Sequence, residues 1–196
     1  MKRVIGITGG ISSGKSFVCS YINNLGFTVL DCDKISKDLS KKDMPIYKKI
    51  VDEFGLEYLD SNLEIDRKKL GNLIFNNNEA KLKLNNISHP LILDELKRQI
   101  ASSNENIIFV EIPLLFEAKL EYLCDKIICV YLPRNIQIER LMKRDNIVEE
   151  FAINKINSQM SLDLKRKLSD YIINSENGFD DTICQINDII KKIKGE

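Results

Sequence analysis

The octapeptide Gly9-Gly10-Ile11-Ser12-Ser13-Gly14-Lys15-Ser16 constrains this chain more than any other stretch, because it has the G-x-x-x-x-G-K-[ST] spacing of a phosphate-binding loop. Its flanks fit the motif. Val4, Ile5 and Ile7 precede it as a short strand, Val18, Ile22 and Leu25 follow at helical spacing, and Gly26 stands where that helix would end. Glycines let the backbone wrap with its amide N–H groups inward, and the following helix turns its positive dipole end to the same point. Lys15 is then expected to reach the outer phosphates and the Ser16 hydroxyl to ligate a bridging magnesium ion. A glycine turn with no ligand is the alternative, and the strand and helix on either side weigh against it.

Beyond this helix, Phe27-Thr28-Val29-Leu30 reads as a buried parallel strand ending in Asp31-Cys32-Asp33. Acidic residues at the carboxyl end of such a strand lie at the ligand-binding edge of an open α/β sheet, so one of them is a candidate to face the phosphates. The competing reading makes Asp33 the cap of a helix starting at Lys34. From Lys34 to about Ser103 the pattern is almost entirely helical, too much material for a simple crossover, and implies an inserted helical subdomain. There Pro45 opens a helix ended by Gly55, Asp66 caps the next, and Leu82, Leu84 and Ile87 form a third apolar stripe. His89-Pro90 is expected to interrupt the pattern, with Pro90 opening a further helix through Leu96 and Ile100. His89, the only histidine, is either a capping or packing residue or a functional one.

Ile107-Ile108-Phe109-Val110 is the strongest strand signal, and Glu111 after it is a candidate to orient magnesium directly or through water. A solvent-side strand end is the alternative for Glu111. Ile127–Tyr131 reads as a fourth strand, residues 134–144 as a helix, residues 149–157 as another, Tyr171–Ile173 as a fifth strand and Ile183–Ile193 as a final amphipathic helix. Arg140 and Arg144 share a helix face, where their guanidinium groups can close over a triphosphate.

The 196 residues suit one folding unit elaborated by insertions. Lys+Arg and Asp+Glu both number 29, so no global field recruits nucleic acid or an anionic membrane. Five cysteines without a C-x-x-C pair suit reduced thiols. With neither a signal-peptide core nor a membrane-length apolar run, a cytoplasmic location is expected.

Several stretches together resemble the dephospho-coenzyme A kinase family: residues 7–16, Leu30-Asp31-Cys32-Asp33, Asn86-Ile87-Ser88-His89-Pro90-Leu91-Ile92, Pro113-Leu114-Leu115-Phe116-Glu117, residues 137–145 and Ser158-Gln159-Met160. The resemblance covers nearly the whole chain. It implies an α/β, three-layer P-loop NTPase fold with a five-stranded parallel sheet, an inserted helical substrate-binding subdomain and a lid. The corresponding boundaries are a core of about 1–33, 104–133 and 156–196, a helical subdomain of about 34–103 and a lid of about 134–155. The implied reaction transfers the γ-phosphate of ATP to the ribose 3′-hydroxyl of dephospho-coenzyme A, with magnesium and no obligate protein partner.

By matching positions, Gly10, Ile11, Ser12, Ser13, Gly14, Lys15, Ser16 and Phe17 would hold ATP with Arg144. Asp33, Lys15 and Arg140 would be catalytic. Asp33, Lys37, Arg67 and His89 would lie on the acceptor side, and Ser16 and Glu111, the latter through water, would serve the metal. Ser12 stands where the family usually has glycine, Phe17 where a hydroxyl residue is common, Lys37 and Lys165 where arginine is usual, and Ser169 where alanine is common. Lysine keeps the charge but lacks arginine's planar fork. The rival readings are a nucleoside monophosphate kinase, a regulatory GTPase and an inactive nucleotide-binding subunit. Against the GTPase, Asn154-Lys155 is followed by Ile156-Asn157, which is not a guanine-reading Asn-Lys-x-Asp element.

Overall fold

The computed structural model describes residues 2–195. The chain folds as two compact units, one formed by the residues through Leu30 together with those from Asn104 on, the other by Asp31–Ser103.

The first unit is built on a sheet of β1 (Arg3–Gly9), β2 (Val29–Asp31), β3 (Ile107–Glu111), β4 (Lys126–Tyr131) and β5 (Tyr171–Asn174), in the order β2-β3-β1-β4-β5. Strand β1 runs parallel to both β3 and β4, with Ile7 opposite Glu111 on one side and Ile128 on the other, and β4 runs parallel to β5. The chain leaves β1 toward one edge and later crosses to the other, so the loop after β1 opens at the topological switch point where such sheets bind ligands.

Alternation along the strands divides the core. Ile5, Ile7, Phe109, Ile128, Val130 and Ile173 pack with Val18, Cys19 and Ile22 of α1 (Lys15–Asn24) and with Ile186, Ile189, Ile190 and Ile193 of α9 (Phe179–Gly195). On the other face, Cys129 and Leu132 pack with Leu162 of α8 (Leu162–Lys167). A Cβ at Gly6 would lie 2.7 Å from Cys124 Sγ and 3.0 Å from Leu115, so only glycine admits that layer so close to β1. Burial pushes the Cys124 thiol up to about 12 and the Cys129 thiol up to about 11. Helices α6 (Arg134–Asp145) and α7 (Glu149–Asn157) form a hairpin closed by Leu141, Ala152 and Ile156.

The second unit holds α2 (Cys32–Leu39), α3 (Pro45–Phe54), α4 (Arg67–Asn76) and α5 (Asn78–Ser102). Its punctuation follows the sequence. Pro45 occupies the first turn of α3, Gly55 ends it at φ 91°, and the Asp66 carboxylate accepts from the Lys68 and Lys69 amides.

The structure departs from the sequence-based expectation at Pro90, at Leu82 and at α8, and it removes the helix-cap alternative for Asp33. Pro90 does not open a helix, because α5 runs unbroken for 25 residues with Pro90 inside it, and His89 lies mid-helix, exposed. Pro90 lacks the N–H that would bond the Asn86 carbonyl, but α5 packs on α2, α3 and α4 and buries Leu96 completely, and that packing outweighs the local rule. Leu82 is 62% exposed and does not belong to the core stripe. Asp33 is not the helix cap: Asp31 Oδ1 accepts from the amides of Asp33 (2.8 Å) and Lys34 (3.0 Å), and α2 starts at Cys32. The six-residue helix α8 carries too short a pattern to be read from sequence, although Ser161 caps it through the Leu164 amide.

Candidate active site

The loop from Gly9 to Lys15 is shaped by backbone demands that few residue types satisfy. Ser13 N–H donates to the Gly10 carbonyl (3.3 Å), and Phe17 N–H donates to that of Gly14 (3.1 Å). Gly14, the N-cap of α1, sits at φ 91°, a region that side chains disfavour, and Ser12 adopts φ 58° without being glycine. Gly14 offers α1 no side-chain cap, and the first turn carries no acidic residue. The amide end of α1 is thus left to an external anion.

Lys15 Nζ donates to the loop's own carbonyls, Gly10 at 2.9 Å and Gly9 at 3.2 Å, which holds the ammonium across the mouth of the loop. The Ser12 and Ser13 hydroxyls are shielded from solvent and have no hydrogen-bond partner among the described residues. A polyanion satisfies such groups, because buried hydroxyls are costly when unpaired. Ser16 is exposed in the first turn of α1, and Glu111 ends β3 opposite Ile7. No cluster of three or more His, Cys, Asp or Glu side chains arranged for a metal ion occurs among the described residues. The hydroxyl and carboxylate donors present are nonetheless hard oxygen ligands of the kind magnesium takes together with phosphate oxygens and water.

Around the loop, the structure assembles residues whose sequence positions are far apart. Ser175, just past β5, donates its hydroxyl to the Ser13 carbonyl (2.8 Å). Arg140 of α6 donates to the Ser175 carbonyl (2.8 Å) and hydroxyl (3.3 Å), so this arginine reaches the loop's neighbourhood. Its helix mate Arg144 is occupied differently. Arg144 pairs with Asp145 at 2.8 Å, and with Lys155, also 2.8 Å from Asp145, it draws that carboxyl down to about 2. Phe17 turns its ring toward Phe179, with centroids 4.6 Å apart, and contributes its backbone to the loop's helix.

Lys165 is fully buried and its ammonium bridges the Pro113 carbonyl (2.7 Å) and the Glu117 carboxylate (2.9 Å). Thr8 Oγ1 donates to the same carbonyl (3.2 Å), and Glu117 also accepts from the Met160 amide (2.9 Å). A buried ion pair needs such additional partners to offset desolvation. Lysine at 165 makes point contacts where the bidentate fork of arginine would make different ones. Gln137, Gln159, Ser175 and Lys165 carry no motif of their own in the sequence, and their partners lie elsewhere in the chain. The available signals were that Gln137 and Gln159 fall inside family-like segments and that Lys165 stands where the family usually has arginine.

The remaining candidates lie in the helical unit. Asp33 and Lys37 are exposed on α2 at positions i and i+4, Arg67 is exposed at the start of α4 and His89 is exposed on α5. Asp31 is taken up as the cap of α2, which leaves Asp33 as the solvent-facing carboxylate of the pair.

Comparison with known proteins agrees with this architecture. The dephospho-CoA kinase family model matches residues 3–181. Dephospho-CoA kinases of Bacillus licheniformis and Carboxydothermus hydrogenoformans are 41% and 42% identical to the chain, over 97% of it in both cases and over 96% and 94% of their own lengths. The solved dephospho-CoA kinase of Campylobacter jejuni superposes with a TM-score of 0.75 at 34% identity, covering 100% of this chain and 99% of that one. A shikimate kinase of Acinetobacter baumannii, at 16% identity and a TM-score of 0.57 over 100% of this chain and 94% of its own, shares the fold. The chain, with its phosphate loop on β1 and its five-stranded α/β sheet, belongs to the dephospho-CoA kinase family.

Proposed function

We infer that the protein catalyses the final step of coenzyme A synthesis, the ATP-dependent phosphorylation of dephospho-coenzyme A at its ribose 3′-hydroxyl. The observation that carries this reading is the loop itself: an uncapped helix N-terminus, a lysine across its mouth and two shielded, unpartnered hydroxyls, in a chain of this family.

In the reaction the acceptor oxygen forms a bond to the γ-phosphorus, the bond from that phosphorus to the β–γ bridging oxygen breaks, and the hydroxyl proton is released. ADP leaves with the electron pair. The transition state is loose, so alignment and charge neutralisation supply most of the rate. In our reading Lys15 exchanges the Gly9 and Gly10 carbonyls for the outer phosphates, and the loop amides and α1 dipole hold the remaining charge. Arg140 and Arg144 add guanidinium donors from α6, Arg140 moving from Ser175 to do so. The Ser16 hydroxyl and, through water, Glu111 would hold magnesium, which would supply neutralisation of phosphate charge when bound.

Asp33 orients the acceptor hydroxyl and takes its proton late, because a carboxylate is a weak base toward an alcohol. Lys37, Arg67 and His89 bind the acceptor side. We further assign residues 34–103 to acceptor binding, 134–155 to a lid, and the protein to the cytoplasm; no helix among the described residues is long and apolar enough to cross a membrane.

A coupled assay for ADP release in the presence of magnesium tests the activity, comparing dephospho-coenzyme A with AMP, GMP, adenosine and no acceptor. ADP formed only with dephospho-coenzyme A, with a new 3′-phosphate on the product, is the expected result. Turnover of a nucleoside monophosphate overturns the substrate assignment. Asp33→Asn is expected to lower kcat about 10²- to 10⁴-fold with ATP affinity intact. Lost ATP binding with normal turnover of bound substrate contradicts the role given to Asp33.

A further inference from the structure

One residue of the phosphate loop is gripped from three directions by residues outside the loop. The Ile11 N–H donates to Gln159 Oε1 (3.0 Å), its carbonyl accepts from Gln137 Nε2 (2.7 Å), and its side chain packs on the Leu141, Ala152 and Ile156 cluster of the α6–α7 hairpin. Gln137 lies inside α6 at 3% exposure, and Gln159 follows α7. Both backbone polar groups of Ile11 are therefore fixed by carboxamides, one accepting and one donating.

Two further observations show that the grip is built in. A Cβ at Gly10 would stand 2.5 Å from Gln137 Nε2, so the carboxamide reaches the Ile11 carbonyl only because residue 10 is glycine. Gln159 is anchored through the next residue, whose amide bonds Glu117, the partner of buried Lys165. Ser12, directly after the held residue, keeps a left-handed φ of 58° that a non-glycine residue adopts only when its surroundings over-determine it.

We propose that Gln137 and Gln159 are positioning residues for ATP: by fixing the Ile11 backbone they hold Ser12 left-handed and keep the loop amides aimed at the β- and γ-phosphates. They act through Ile11, and the α6–α7 hairpin that carries Gln137 and seats Ile11 is thereby moored to the loop at its base.

The test measures ATP, ADP and AMP affinities by calorimetry without any acceptor, so its outcome is independent of which acceptor the enzyme uses. Gln137→Met and Gln159→Met keep side-chain length and remove the hydrogen bonds. Each is expected to weaken ATP and ADP binding about 3- to 10-fold, the worth of one net hydrogen bond. AMP affinity and KM for dephospho-coenzyme A should stay unchanged. Because both act on one residue's backbone, the double variant should lose less than the product of the single losses. Gln159 is only partly buried, so its variant folds even if the Gln137 variant does not. Unchanged ATP affinity in Gln159→Met overturns the proposal. So does an equal loss for AMP and ATP, or a loss that tracks only the fraction of unfolded protein.

Discussion

Each of the two units of this protein relies on its own kind of internal contact. In the sheet unit, side chains reach backbone groups more than a hundred residues away: Asp125 to the Val4 amide, Thr8 to the Pro113 carbonyl, Gln137 and Gln159 to Ile11, and Ser175 to the Ser13 carbonyl. In the helical unit, polar contacts span shorter stretches of chain: Tyr47 donates to the Leu63 carbonyl (2.8 Å), and Lys83 of α5 pairs with Glu53 of α3 (3.0 Å). Asp66 caps its own helix, Glu95 pairs with Arg98 one turn away, and apolar packing that buries Leu70 and Leu96 joins the helices. Directed polar contacts fix a loop to within a hydrogen bond. Apolar packing fixes a surface and tolerates replacement at its rim.

The sharpest test of this difference is Lys15→Ala. Its ammonium bonds carbonyls of its own loop, so kcat/KM should fall about a thousandfold while the thermal midpoint is kept. A large stability loss would show that the loop is structural. Leu96→Ala comes next and should do the reverse, destabilising by about 2–5 kcal/mol. Urea titration measures the loss, and hydrogen exchange locates it. Faster exchange confined to α2–α5 sharpens the distinction, and equal loss of protection in β1 and β4 breaks it.

Pro90→Ala should stabilise α5 by about 1–3 kcal/mol, since it restores the N–H facing the Asn86 carbonyl; an unchanged urea midpoint would mean that the helix has already adapted around the ring. The smallest effect concerns Glu95. Arg98, with Gln99, holds its carboxyl down at about 2 from an ordinary 4.5. A lowered folded-state pKa contributes stability that is present above about pH 4.5 and lost as the pH falls toward 2. Glu95→Gln should abolish that component, worth less than about 1 kcal/mol because the Arg98 partner is solvent-exposed, and the two proteins' midpoints should converge near pH 2.

The same difference explains what was legible in the sequence. Gly14, Pro45, Gly55 and Asp66 were readable because each answers a demand of the backbone within a few residues of itself, and Lys15 and Ser16 because they complete the loop's spacing. Pro90 answered to a local rule that tertiary packing overrode, and Leu82 kept helical spacing while facing water. Gln137, Gln159, Ser175 and Lys165 were the reverse case. Nothing near them in the chain reveals what they bond, because the partner is brought there by the fold.

The buried thiols under the loop have a consequence for an enzyme whose acceptor carries a thiol of its own. Exchange with a disulfide requires a thiolate, and with Cys124 near 12 and Cys129 near 11 almost none is present at neutral pH. Mixed disulfides with oxidised acceptor are therefore suppressed beside β1 and on β4, and Cys184, exposed on α9, offers the more accessible sulfur. The thiols beside β1 and on β4 are thereby held in the protonated form toward the compound the enzyme handles.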